Sequence, residues 1–216
     1  MTEQEKTTIL VIDDHPLFRK GVADLLSMDA TLLLVGEAAS GEEGVVLAHQ
    51  LQPDLVLLDL NMKGMDGIET LKAIKATEFD GRVIMLTVSD SEENVVAALR
   101  GGADGYLLKD MEPEDILVHL GNAARGKLVI NDKLTELLAQ ALRKDTRPKD
   151  SDQAGLTERE REIVELIAKG MSNKLIAREL DITEGTVKVH IKHLLKKLHL
   201  RSRVEVAVWA TNNRKG

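Results

Sequence analysis

The strongest constraint on this fold is an alternation. Over residues 7–126, five short apolar runs rich in β-branched residues are separated by stretches of helical periodicity. The runs are Ile9-Leu10-Val11-Ile12, Leu32-Leu33-Leu34-Val35, Leu55-Val56-Leu57-Leu58, Val83-Ile84-Met85-Leu86, and one ending in Tyr106-Leu107-Leu108. Continuous apolar runs suit strands covered on both faces, whereas a half-exposed strand alternates. Helices are predicted between them, over about 15–28, 41–51, 67–77, 91–101 and 113–125. Ser40 with Glu43, and Asp66 with Glu69, fit an N-cap followed by an acid three residues on. Pro113 suits a first helical turn. Five strand–helix units predict an α/β, doubly wound, five-stranded parallel sheet.

Residues 155–216 contain no strand-like run. Four helices are predicted: from a capping box at Thr157 and Glu160 to near Gly170, from about Asn173 to Leu180, from Thr183 to about Leu198, and over roughly 202–212. A short helix, a tight turn and a longer helix make a helix-turn-helix candidate in an all-α domain. Between the two blocks, 131–143 reads as a further helix and 144–153 as an exposed tether. The boundaries are therefore 1–127, a linker over 128–154, and 155–216.

Charge follows the same division. The chain has 29 Lys and Arg against 36 Asp and Glu, net −7. Residues 1–130 carry 11 basic and 23 acidic side chains, net −12, and residues 155–216 carry 13 and 8, net +5. The average argues against nucleic acid; the C-terminal block does not. There is no cysteine, which excludes thiol catalysis and thiolate metal sites and fits a reducing cytoplasm. No apolar run approaches the roughly 18 residues of a membrane helix, and the polar start lacks a signal peptide's apolar region. With four aromatics, Phe18, Phe79, Tyr106 and Trp209, base stacking is not the expected binding mode.

Ligand sites in open parallel sheets gather beyond the carboxyl ends of the strands. The polar residues there are Asp13 and Asp14, then Asp59 with Asn61, then Thr87, then Lys109. Taken singly, each reads as a turn residue, cap or surface charge; together they make a rim. Three close carboxylates repel one another, and a hard divalent cation such as Mg²⁺ offsets that with oxygen ligands. A carboxylate beside such an ion can attack a phosphoryl group and become an acyl phosphate. Thr87 and Lys109 are then partners for the equatorial oxygens.

The ordered set Val11-Ile12-Asp13-Asp14-His15-Pro16, Leu57-Leu58-Asp59-Leu60-Asn61-Met62, Leu86-Thr87 and Gly102-Ala103-Asp104-Gly105-Tyr106-Leu107-Leu108-Lys109 resembles a bacterial response-regulator receiver, a flavodoxin-like fold. The resemblance implies Asp59 as phosphoacceptor and Asp13, Asp14 and Asp59 as Mg²⁺ acids, with the Asn61 carbonyl as a further ligand. It implies Thr87 and Tyr106 as the switch pair and Lys109 as a phosphoryl sensor. The sequence departs from many receivers at Lys63 and Asp110, where proline is common. After Lys109 a trans bond is expected, or a cis bond held by its surroundings.

In the stretch after Thr183, Val187, Ile191, Leu194, Leu195 and Leu198 form one apolar helical stripe. Lys188, Val189, Lys192 and Lys196 lie on its flank and opposite side, and 186–203 holds six basic residues and no acid. An anchored helix with a basic outer face suits the DNA major groove; the plain alternative is a solvated lysine face. Leu156-Thr157-Glu158-Arg159-Glu160, Ser172-Asn173-Lys174, Ile176-Ala177 and Thr186-Val187-Lys188-Val189-His190 resemble the LuxR-type helix-turn-helix of the NarL/FixJ family. That resemblance implies Lys188, Val189 and Lys192 as base readers, and Lys174, Lys196 and Arg201 as phosphate partners. It implies Val204, Val208 and Trp209 as a dimer face, for which plain core packing is the alternative.

The expectation is a two-domain regulator, not an enzyme beyond its own phosphorylation and dephosphorylation. Its partners would be a sensor histidine kinase and promoter DNA, bound as a homodimer, with no membrane. The nitrate/nitrite signal is implied by resemblance to that branch of the family alone. The rivals are the same class with another signal, a Mg²⁺-dependent phosphohydrolase with an aspartyl intermediate, and a constitutive DNA binder with a degenerate receiver. The charge split further predicts that the acidic domain lies against the basic recognition helix and competes with DNA until phosphorylation shifts the population.

Overall fold

The computed structural model describes residues 6–77, 79, 81–88, 91–124, 129 and 154–213. The helix expected over 131–143 and the tether over 144–153 lie outside them. Five strands form one sheet: β1 (Thr7–Ile12), β2 (Leu32–Ala38), β3 (Leu55–Leu58), β4 (Arg82–Thr87) and β5 (Gly105–Leu108). Their order is β2-β1-β3-β4-β5 and every pairing is parallel. Helices α1 (Pro16–Ser27), α2 (Gly41–Leu51), α3 (Gly67–Ala76), α4 (Glu92–Gly101) and α5 (Pro113–Ala124) connect and follow the strands. After α5, Val129 returns beside β5, where its carbonyl accepts from the Tyr106 amide at 2.9 Å.

All four residues of β3 are buried, as a central strand requires. Of the four residues of the second run, only Leu32 is buried, and Leu33 is 42% exposed. This run is therefore not covered on both faces, contrary to what its apolar sequence predicts. It forms the sheet's edge, and its pairing with β1 is irregular between Ile9 and Leu10. The start signals hold. Asp66 and Glu69 form a full capping box, and the Ser40 hydroxyl accepts from the Glu43 amide at 3.2 Å. Gly67 is required by close approach: a Cβ there would lie 2.2 Å from the Asp59 carbonyl oxygen.

The C-terminal helices are α6 (Glu158–Ala168), α7 (Asn173–Glu179), α8 (Glu184–Leu198) and α9 (Arg203–Asn213). Thr157 and Glu160 form the predicted capping box of α6. Glu160 also reaches Lys197 at 2.7 Å, which ties α6 to α8. The α7–α8 turn passes through Asp181 at φ +52°, a left-handed conformation that Asp tolerates. Val187, Leu194 and Leu198 of the α8 stripe are fully buried, while Ile191 and Leu195 are partly buried against the same cluster. That buried cluster runs without a break from the α3–α4 side of the sheet into the helical domain, and α9 touches α4.

Candidate functional site: a carboxylate rim and a recognition helix

The parallel register brings the carboxyl ends of β1, β3, β4 and β5 together, and the predicted residues meet there. Asp13, Asp59 and Thr87 are buried. Lys109 Nζ lies 2.5 Å from Asp13 Oδ2 and 3.0 Å from Asp59 Oδ2. Asn61 Nδ2 donates to the Thr87 hydroxyl at 3.3 Å. Asp14 Oδ2 accepts from the Lys63 amide at 3.1 Å, so Lys63 holds the loop through its backbone. The Lys109–Asp110 bond is trans. Tyr106 is buried.

Burial pushes the Asp59 carboxyl above its ordinary range, and the Asp13 charge adds to that; the hydrogen bond and charge of Lys109 and the Asn61 amide work against it. Asp59 Oδ1 is buried and has no hydrogen-bond partner. Ligand atoms of Asp13, Asp14, His15 and Asp59 all lie within 4.8 Å of one another. Three carboxylates with an unsatisfied buried oxygen fit a hard cation such as Mg²⁺. The sequence reading missed three neighbours. His15 lies 2.9 Å from Asp14, Lys109 sits 4.3 Å over the Phe18 ring, and Arg19 donates to the Asp13 carbonyl at 2.6 Å. His15 continues the Asp13-Asp14 strand end and was legible there; Phe18 and Arg19 face the rim only once α1 folds back.

On the helical domain, Lys174, Val189, Lys192, Lys196 and Arg201 are exposed and Lys188 is half-buried. Lys188 and Lys192 line a cleft between the two domains, with Lys75, Arg82 and Asp104 opposite. Of the six basic residues counted from 186 to 203, Lys197 and Arg203 serve structure instead. Lys197 bonds Glu160, and Arg203 bonds the Asn173 side chain and the Met171 carbonyl. Val204, Val208 and Trp209 are buried in the core cluster, so in this arrangement they pack rather than present a face. The acidic domain does lie against Lys188 and Lys192 of the recognition helix, as the charge split predicts, but the described charged receiver residues that line this cleft are two cations, Lys75 and Arg82, and one carboxylate, Asp104.

Residues 9–121 match the response regulator receiver domain family, and residues 154–210 match the LuxR family of bacterial regulatory proteins. The chain is 55% identical over 214 residues to the nitrate/nitrite response regulator protein NarL of Escherichia coli, covering 99% of each chain. It is 42% identical over 208 residues to NarP of the same organism, covering 96% of each. Among solved structures, the response regulator ChrA of a heme-sensing two-component system aligns at TM-score 0.52 and 30% identity, over 97% of this chain and 98% of that one. The receiver domain of a putative response regulator NarL from Mycobacterium tuberculosis aligns at TM-score 0.55 and 39% identity, over 57% of this chain and 99% of that one. These relatives are response regulators rather than classical enzymes, and no described helix is long and apolar enough to cross a membrane. A five-stranded parallel sheet with a carboxylate rim, joined to a four-helix domain of LuxR type, thus places this chain in the NarL-like, phosphorylation-dependent response-regulator family.

Proposed function

We propose that Asp59 takes a phosphoryl group from a histidine kinase and that this event controls access of α8 to promoter DNA. The observation that carries the reading is the orphaned, buried Oδ1 of Asp59 beside Asp13, Asp14 and Lys109. Asp59 Oδ1 attacks phosphorus as the bond to the kinase imidazole breaks, and the imidazole leaves with the electron pair. Mg²⁺ held by Asp13, Asp14, Asp59 and the Asn61 carbonyl would offset the carboxylate charge and take one phosphoryl oxygen. Lys109 leaves its contact with Asp59 to pair a second oxygen, and the Thr87 hydroxyl donates to the third. Thr87 then moves toward the rim, and Tyr106, buried one strand away on β5, follows.

Lys188, Val189 and Lys192 are the proposed base readers, with Lys174, Lys196 and Arg201 on phosphates. Lys188 and Lys192 turn toward the cleft, so the closed arrangement competes with DNA. Opening frees them and uncovers the part of α9 that touches α4, where Val204, Val208 and Trp209 would support a homodimer on DNA. The proposed domains are 1–127 and 155–216, with 128–154 as the linker between them. The nitrate/nitrite signal, the sensor kinase that reads it and a cytoplasmic setting are proposed from the 55% identical relative alone. The test is DNA affinity of the full chain on a nitrate-regulated promoter and a scrambled duplex, with and without a small phosphodonor and Mg²⁺. Phosphodonor should tighten specific binding about tenfold or more, and Asp59→Asn should abolish both phosphoryl uptake and the response. Full labelling of Asp59→Asn would refute the assignment.

A further inference from the structure

The interdomain cleft has a volume of about 480 Å³, within the range of small-ligand sites. The receiver contributes Lys75, Arg82 and Asp104 to its lining, and the helical domain contributes Lys188, Lys192, Arg201 and Arg203. Among the described residues, six cations thus share one carboxylate. That carboxylate is already engaged: Asp104 Oδ2 accepts from Lys75 Nζ at 2.7 Å and from the Val83 amide at 3.0 Å.

Arg82 and Arg203 come from different domains and act on each other as like charges. Burial first, and the Arg82 charge second, push the Arg203 guanidinium down to about 10, with Asp104 opposing; it remains charged at neutral pH. Burial lowers Arg82 as well. Arg203 Nε is buried and has no hydrogen-bond partner. Bringing desolvated like charges together is unfavourable unless a counter-charge joins them.

We propose that this cleft binds a small polyphosphate anion, of the chemistry shared by inorganic pyrophosphate and a nucleoside diphosphate. Arg203 already donates its terminal nitrogens to Asn173 and Met171, and Arg82 donates to the Ala123 carbonyl at 2.8 Å, so both act here as fixed charges; several cations around one space favour a multivalent anion over a single carboxylate. Ile191, Leu195 and Phe79 give the cleft an apolar part that a nucleoside base can cover. The anion bridges the domains, so it stabilises the closed arrangement. It also occupies Lys188 and Lys192, so anion and DNA exclude each other, each weakening the other by the same factor. This last consequence rests on the DNA contacts proposed above; anion binding itself does not.

The test uses the unphosphorylated full chain with EDTA at constant ionic strength, titrated calorimetrically with pyrophosphate, ADP and adenosine. Backbone amide NMR shifts are followed in the same titrations. Pyrophosphate and ADP should bind and adenosine should not. Shifts should appear on both walls, around Gly102–Asp104 and around Lys188–Arg203. Arg82→Gln should weaken pyrophosphate about tenfold or more, while Arg82→Lys stays within about threefold because it keeps the charge. Tighter ADP than pyrophosphate assigns part of the site to the base; equal affinity assigns it to the phosphates; either supports the proposal. Adenosine binding as well as ADP, shifts confined to the helical domain, or an Arg82→Gln affinity equal to the parent's would each overturn it. DNA is absent from the assay, so its failure leaves the promoter-binding reading standing.

Discussion

The carboxylate rim and the interdomain cleft are built at opposite ends of the same sheet with opposite charge. At the carboxyl ends of the strands, three aspartates enclose one ammonium, Lys109. At the amino ends, near Arg82 and Asp104, six cations enclose one carboxylate among the described residues. In each the minority charge moderates repulsion among the majority, and in each a buried polar atom remains unpaired. The difference is in the scaffold. The rim belongs to one domain and is fixed by strand register, whereas the cleft exists only while two domains are docked. A site of the first kind tolerates stored repulsion; in a site of the second kind the same repulsion weighs against docking.

Removing the minority charge from each site sharpens this contrast. Lys109→Met should have the largest effect, because it leaves Asp13 and Asp59 buried without a counter-charge. Breaking such a pair costs about 3 kcal/mol or more. Urea unfolding with EDTA should show the loss, and Mg²⁺ should stabilise the variant more than the parent. Equal Mg²⁺ stabilisation of both would break the picture of a cation and a lysine sharing one charge balance. Asp104→Asn should cost less and act on docking rather than folding. With the Asp104 charge no longer opposing the repulsion between Arg82 and Arg203, the closed form weakens by about 1 kcal/mol, a factor of about five. DNA affinity without phosphodonor should rise by about that factor, measured by fluorescence anisotropy. An unchanged affinity would mean that docking does not depend on the cleft's charge.

The smallest effect is expected away from both sites, at Glu160. Burial alone would raise its carboxyl, but hydrogen bonds from Lys197 and from the Thr157 amide and hydroxyl, with the Lys197 charge, hold it below the ordinary value. A depressed folded value means stability that is present above the unfolded carboxylate range and lost as pH falls through the folded value. Glu160→Gln should therefore destabilise the helical domain by about 0.5 kcal/mol at neutral pH, and the gap to the parent should close in acid. A gap that persists at low pH would assign the effect to packing.

The rim was legible in the sequence because parallel register converts successive strand ends into neighbours. Asp13, Asp59, Thr87 and Lys109 each close an apolar run, so finding the runs found the site. The edge position of β2 was not legible. Leu32-Leu33-Leu34-Val35 is as apolar as the central runs, and strand order is not a local property. The cleft was invisible for a stronger reason. Arg82 and Asp104 look like ordinary punctuation before β4 and β5, and Arg203 looks like one more base on a basic helix. Only the docking of α9 on α4 puts them together. The buried Val204, Val208 and Trp209 teach the same point: an apolar helix face identifies itself as needing cover, and the fold decides what covers it.

β4 begins at Arg82 and ends at Thr87, so one strand of six residues, about 17 Å long, carries a cleft residue at one tip and a rim residue at the other. The two tips lie out of phase by an odd number of steps and project from opposite sides of the sheet. A single-residue deletion inside β4 would carry that parity error to one end or the other, turning either Thr87 away from Asn61 or Arg82 away from the Ala123 carbonyl. The strand therefore works as a shared reading frame. The spacing between the acidic and basic poles of this molecule is quantised, and neither pole can drift by a residue while the other stays in place.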